Sequence, residues 1–271
     1  MLRLGGKSVV RTPPVLANTR AVFTRSVSPS PAWKAGQGLS EAQSSWRIDA
    51  DGPRKSWNLE ETSTRDVYKL LTSAIVPRPI ALTSSLSPDG VPNLAPFSYF
   101  SMVSSNPPML SISFSLSSRR KKDTRENVLA TKEFTVSMIS QAFVEAANIT
   151  SVEASEVDEW VLSGLTMEPS TQVKPARVKE SAFSMECEDI TPVGATEPTV
   201  TVVLGLIRHA HAMESVLDSD GDRVDPDKLQ VVARMGGDTY SKVVEGFDVA
   251  RPKWKDLQPV YSDLLGKKKD G

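Results

Sequence analysis

Cysteine occurs once in the 271 residues, at Cys187, and histidine twice, at His209 and His211. The single thiol excludes an internal disulfide and leaves no material for a cysteine-built metal cluster within one chain. Its neighbours Phe183, Met185 and Ile190 favour a buried structural thiol. Two histidines are likewise too few for a protein-built zinc site. Charge of one sign is also missing: with a formal net charge of -1 and a pI near 6.2, the chain has no global basic field of the kind that nucleic-acid binding uses. No apolar run approaches the ~20 residues needed to cross a bilayer, so no membrane span is expected. No G-x-G-x-x-G follows a strand pattern, no serine sits in a nucleophile-elbow context, and no carboxylate pair has a spacing that demands acid–base chemistry. These absences leave chemistry borrowed from a cofactor.

What is present is ordinary soluble composition, 39% hydrophobic and 24% charged, between two ends that do not look globular. Residues 1–62 form the first end. Arg3, Lys7, Arg11, Arg20, Arg25 and Lys34 precede the first acid, Glu41, which is the composition of a mitochondrial transit peptide; a disordered extension rich in proline and serine is the other reading. The corresponding locations are the mitochondrial matrix and, alternatively, the cytoplasm. A linker carrying Trp46 and Trp57 follows. Residues 253–271 are Lys-rich and read as a tail, docked by Trp254 and Leu257 if at all. One domain is expected between them, over residues 63–252.

Its pattern is mostly that of strands. Ser63 and Asp66 fit a capping box before Val67, Leu70, Leu71 and Ala74, which predicts a short helix. Pro77 and Pro79 hold Arg78 extended, so a strand begins at Ile80, and Pro88, Asp89 and Gly90 reverse it. In Asn93 to Ser98, the two flanking prolines, Pro92 and Pro96, argue against a central strand. An irregular edge of this sort leaves N–H and C=O groups facing outward, where a flat polar ring can use them. Leu110, Ile112, Phe114 and Leu116 alternate with serines, a half-buried strand. Glu133 to Ile139 repeats the pattern, Gln141–Thr150 and Val157–Leu162 read as helical cover, and Phe183–Ile190 and Thr199–Arg208 as strands, the last buried on both faces because it is nearly continuous Val, Leu and Ile.

Two charged stretches carry alternatives. Arg119 to Lys122, followed by Asp123 and Thr124, reads as a basic loop capped by Asp123 into a short helix. It is either an anion site, with free N–H groups, a hydroxyl and cations together, or a solvated charge run. Asp218, Asp220 and Asp222 surround Gly221 but lack the distal glutamate of a calcium loop, which favours a turn with solvated acids. No metal site is assigned.

The strings PRPIALTSS, DGVPNLAPFSYF, NPPM, KDTREN and RMGGDTY, in this order, resemble the FMN-binding split-barrel family of flavin reductase-like proteins, over roughly residues 67–252. The resemblance implies a mainly β fold, a split β-barrel with short covering helices. It also implies a flavoprotein oxidoreductase that moves electrons from transiently docked NADH or NADPH through FMN to a flavin, oxygen or a small organic acceptor. A carrier or sensor module that binds FMN without turnover is the alternative. Residue by residue, it assigns Thr83 and Ser84 at the end of the first strand, and Asn93, Ala95, Pro96, Phe97 and Ser98 along the flavin ring. Lys122, Asp123 and Thr124 would face the phosphate. No catalytic residue is assigned, and His209 and His211 are more simply barrel or interface residues than proton donors. Met235 stands where the family usually has leucine. The resemblance further implies a homodimer, with the boundary expected near Val202–Ile207 and the Gly236–Gly237 turn.

Overall fold

The structure is a computed structural model describing residues 24–38, 52–115, 121–154, 156–192, 196–197 and 200–269. Arg3 to Arg20, Trp46, Leu116, Arg119 and Arg120, and with them most of the transit-peptide reading, lie outside the described residues.

Seven strands make one antiparallel sheet: β1 (Ala81–Leu86), β2 (Pro92–Phe97), β3 (Phe100–Ser105), β4 (Pro108–Ser115), β5 (Glu133–Met138), β6 (Phe183–Asp189) and β7 (Val200–Ala212). Their spatial order is β2-β1-β5-β6-β7-β4-β3, with Thr196–Glu197 added beside the start of β7. The curl comes from β7. Its first half pairs with β4 and its second half with β6, and only Gly205 and Leu206 pair with both. A bulge at Arg208, within the pairing with β6, shifts the register there, and bulges bend the strand that carries them. The ends of the sheet then face each other without pairing: the Phe97 ring of β2 meets the Phe114 ring of β4 edge-on, with centroids 4.8 Å apart. The result is a split barrel.

Period-2 alternation decides which side chains fill it. Ala81, Leu110, Ile112, Phe114, Phe134, Val136, Cys187 and Val203 form the interior core, and Cys187 is buried as expected. Gly205 belongs to this packing, because a Cβ there would come within 2.5 Å of Phe134 Cζ. The strand that was expected to be buried on both faces instead alternates: Thr201, Val203 and Gly205 are buried, while Val202 is 39% exposed. Continuous apolar sequence overstated its burial because one face of β7 has no covering layer among the described residues.

The opposite face of β1 and β2 carries a second core, in which Leu82 and Leu94 meet Ile139, Phe143, Ala147, Trp160 and Val178. Two short helices supply the cover, α3 (Val144–Ile149) and α4 (Glu159–Ser163), within the stretches where helical cover was expected. Between these layers and the barrel end lies α2 (Asp123–Thr131), whose Thr124, Asn127 and Val128 are buried. Helix α1 (Thr64–Ala74) starts at the expected cap: Ser63 Oγ accepts from Asp66 N at 3.2 Å. Arg78 ties it down by donating to the carbonyls of Thr72, Ile75 and Met235 and, at 3.5 Å, to Ser98 Oγ. A guanidinium among the last carbonyls of a helix also complements the helix dipole.

Segments near the two ends of the described residues touch. Thr24–Ser26 pairs in parallel with Glu245–Phe247, and Gly36 packs on Leu264 of α5 (Trp254–Lys269). The stretch read as a tail thus forms a helix whose half-buried side chains among residues 254–266 are Leu257 and Leu264, seven residues apart.

Candidate functional site

Strand β2 ends the sheet, so one of its edges has no partner strand. Leu94 N–H points off this edge and is accepted at 3.4 Å by Glu159 Oε2. Main-chain polar groups alternate in direction along a strand, so those of residues 92, 94 and 96 face outward. Pro92 and Pro96 have no N–H. The expectation of both outward N–H and outward C=O groups is therefore corrected: the edge offers carbonyl acceptors, because two prolines and Glu159 remove every donor.

Facing this edge is the start of α2. Its N-cap is Lys122, which makes no side-chain capping bond, and Asp123 is the first helical residue. This too corrects the sequence reading, in which Asp123 was the cap. The helix start is instead tied in through its hydroxyl: Asn93 Nδ2 donates to Thr124 Oγ1 at 2.8 Å and to Ser85 Oγ at 3.3 Å, and Asn127 Nδ2 donates to Ser85 Oγ at 3.2 Å. All four residues are buried. One polar cluster thus locks β1, β2 and α2 together, and a buried cluster with its members satisfied fixes geometry.

Between edge and helix lies a cavity of about 290 Å³. Asn93, Ala95, Pro96, Phe97, Lys122, Asp123 and Thr124 line it, joined by Lys121, Glu159 and the loop Thr150–Glu153. Lys122 Nζ lies 3.9 Å from Glu153 Oε1. The remaining candidates are placed elsewhere. Thr83 and Ser84 are buried in β1 behind β2, and Thr83 Oγ1 has no hydrogen-bond partner. Ser98 is half-buried just past β2, accepting from Arg78.

Glu159 is the residue that sequence reasoning missed. It is 7% exposed. Burial pushes its carboxyl above the usual range; the hydrogen bond from Leu94 opposes this, and Asp123 and Asp158 add to it. Its position follows from α4, where Asp158 Oδ1 accepts from Trp160 N and Val161 N at 2.9 and 3.1 Å and the Trp160 ring anchors the turn in the core. The only local signal was an acid beside a capping aspartate, which is common at helix starts.

Residues 73–223 match the flavin reductase like domain. The chain belongs to this family. An uncharacterised protein of Aquifex aeolicus is 39% identical over 186 residues, covering 68% of this chain and 93% of that protein. The crystal structure of nitrilotriacetate monooxygenase component B from Bacillus cereus is 33% identical with a TM-score of 0.68, covering 73% of this chain and 100% of that one. For the fold alone, a split-barrel domain from Shewanella frigidimarina NCIMB 400 superposes with a TM-score of 0.62 at 22% identity, over 74% of this chain and 99% of that one. The flavin reductase-like fold thus accounts for the barrel and its covering helices.

In this member the histidines lie apart from the cavity, which neither of them lines. His211 Nε2 is 2.6 Å from Glu186 Oε1, and its ring meets that of His209 at a tilt, with centroids 4.5 Å apart. Burial would raise the Glu186 carboxyl, but the N–H groups of Thr171 and Gln172, His211 and the Thr171 hydroxyl hold it down at about 2. This is a structural anchor for the loop at 171–173. The acidic turn behaves similarly: Asp218 accepts from Asp222 N and Arg223 N at 3.3 Å and pairs with the Arg223 side chain at 3.1 Å.

Proposed function

We propose that this protein is an FMN-dependent oxidoreductase, with the phosphate at the start of α2 and the flavin ring along the β2 edge. The observation that carries this reading is the pairing, in one cavity, of a helix start whose N-cap Lys122 makes no side-chain capping bond, beside Lys121 and Thr124, with the outward carbonyl of Pro96 between Ala95 and Phe97. Helix N–H groups, an ammonium and a hydroxyl suit a phosphomonoester. A planar ring with one edge N–H suits a carbonyl acceptor, with Ala95 small enough to let it approach and Phe97 giving an apolar end. When bound, FMN supplies hydride chemistry, receiving from NADH or NADPH and delivering electrons to a flavin, oxygen or a small organic acceptor. The chain's own residues hold, orient and shield it. Lys122 exchanges Glu153 for the phosphate, and Asn93 keeps the Thr124 hydroxyl in place. The membership of a monooxygenase component among the family's structures is in keeping with such a role.

We also place the site beside a homodimer boundary made by α1 and β3, next to the Gly236–Gly237 turn that the sequence favoured. The Gly236–Gly237 turn is engaged within its own chain, since a Cβ on Gly236 would lie 3.0 Å from Ser73 of α1. Large apolar side chains are exposed instead on α1 and β3: Tyr68, Leu71 and Ile75, then Tyr99, Met102 and Val103. Arg78 joins α1 to Ser98 at the end of β2, so a partner on this face adjoins the cavity. At about 290 Å³ the cavity is at the lower limit for small-molecule sites, which favours completion by a second copy.

The test is spectroscopic. The purified full chain is expected to be yellow, to release FMN by mass analysis, and to lose its flavin absorption rapidly when NADH or NADPH is added anaerobically. Flavin that is bound but unreduced by either nucleotide would instead mark a carrier or sensor. FAD or no flavin defeats the proposal.

A further inference from the structure

Two cavities meet at one partition. The site above runs from Phe97 to Asn93 along β2, and a second cavity of about 330 Å³ continues past Asn93 to Pro92, Val91 and Ser87. Asn93, Asp123 and Glu159 line both and form the partition between them. The charge of the walls changes across it. The first cavity has Lys121 and Lys122. The second is walled by Asp123, Glu156, Asp158 and Glu159, with no cation among its described lining residues.

We propose that Glu159 and the acid-lined cavity behind it set ligand specificity, admitting a flavin that ends in a phosphomonoester and rejecting one that continues through a pyrophosphate. The inference rests on the reading of the first cavity as a flavin site. A ligand with its ring toward Phe97 and its phosphate at Lys122 and Thr124 ends at the partition. A dinucleotide has to carry a second phosphate and a nucleoside past the Glu159 carboxyl into a space bounded by three further carboxyl groups, and like charges brought together out of bulk water are strongly unfavourable. Glu159 cannot swing aside cheaply. Its Oε2 holds Leu94 N–H, and the helix turn that carries it is pinned by Trp160 in the core. Glu156, by contrast, is exposed on the loop before α4.

The experiment is a fluorescence titration of flavin-free full-length protein with FMN, FAD and riboflavin, for the natural sequence, Glu159→Gln and Glu156→Gln. The natural sequence is expected to prefer FMN over FAD at least tenfold. Glu159→Gln should narrow that preference about tenfold, mainly by tightening FAD, and Glu156→Gln about threefold. Equal affinity for FMN and FAD in the natural sequence overturns the inference, as does a ratio unchanged in both variants. If Glu159→Gln fails to fold, an unchanged ratio in Glu156→Gln suffices to overturn it. Failure to bind any of the three flavins removes the flavin-site reading itself, whereas FMN binding without discrimination removes only the role given to Glu159.

Discussion

Replacing Glu186 by glutamine tests whether a buried carboxylate organises the loop at 171–173. The carboxyl group is fully buried and collects five donors: Thr171 N and Oγ1 at 2.9 and 3.0 Å and His211 Nε2 at 2.6 Å on one oxygen, Gln172 N and Val173 N at 2.6 and 3.1 Å on the other. An amide keeps one accepting oxygen and sets an NH₂ group against the donors on the opposite side. Leaving even one of these main-chain N–H groups unpaired costs about 1–3 kcal/mol. Proton linkage gives an independent magnitude. Holding the carboxyl from 4.5 down to about 2 corresponds to about 3 kcal/mol at about 1.4 kcal/mol per pH unit, which screening around the partly exposed loop and His211 reduces to about 2. Because the folded value is the lower one, this stability is fully present above pH 4.5 and is lost as pH falls toward 2. Urea unfolding of the full chain at pH 7 should therefore show Glu186→Gln destabilised by about 2 kcal/mol, with the difference shrinking steadily between pH 4.5 and 3. A variant within about 0.5 kcal/mol of the natural sequence at pH 7, or a loss that does not change with pH, refutes the reasoning.

Lys122→Ala should weaken FMN binding by one to two decades, the worth of a charge-assisted contact, whereas Thr124→Ser should bind FMN nearly normally because it keeps the hydroxyl; equilibrium titration checks both. Thr124→Val should also cost about 1 kcal/mol of stability in urea, since Asn93 Nδ2 loses its 2.8 Å acceptor. Gly205→Ala should destabilise by about 1–3 kcal/mol, the cost of forcing a methyl into the 2.5 Å approach of Phe134 Cζ; unchanged urea unfolding would contradict the close packing at the strand crossover. Light scattering of the FMN-loaded chain should give twice the 29.5 kDa chain mass, and Met102→Glu should lower it; a single-chain mass independent of concentration counts against the dimer.

How much of this was legible depended on the sequence distance over which each feature is made. The strands β4 and β5 followed from period-2 patterns, because alternation is a local consequence of one buried face, and β1 from the prolines that hold the chain extended before it. The basic helix start was legible locally too, since Lys122 and Thr124 are neighbours at the helix they begin. Glu159 was not, because its role arises from a contact with Leu94 made across 65 residues, and nothing local marks it. Asp123 was misplaced by one position: an acid before a helical run predicts a cap, but Lys122 already has the extended backbone of the N-cap. Thr83 and Ser84 were grouped with Asn93 because adjacent motifs look like one wall, yet they lie one strand further in. The final helix was hidden by its lysines, although Leu257 and Leu264 carry the spacing of a narrow apolar stripe.

The placement of the site follows from an unclosed barrel. A sheet whose last strand has no partner exposes main-chain groups that invite further strands. In β2 the donors are removed one by one, by Pro92, by Pro96 and by the carboxyl of Glu159 on Leu94, so another strand cannot form a full ladder there. What is left is a row of carbonyls, which cannot pair with a backbone edge of the same kind but can accept from a ring with its own N–H. The same three substitutions that block β-pairing therefore leave an edge suited to a heterocycle. Glu159 both accepts from Leu94 N–H and stands between the two cavities, so under the proposed specificity one side chain would serve both the protection of the edge and the choice of ligand.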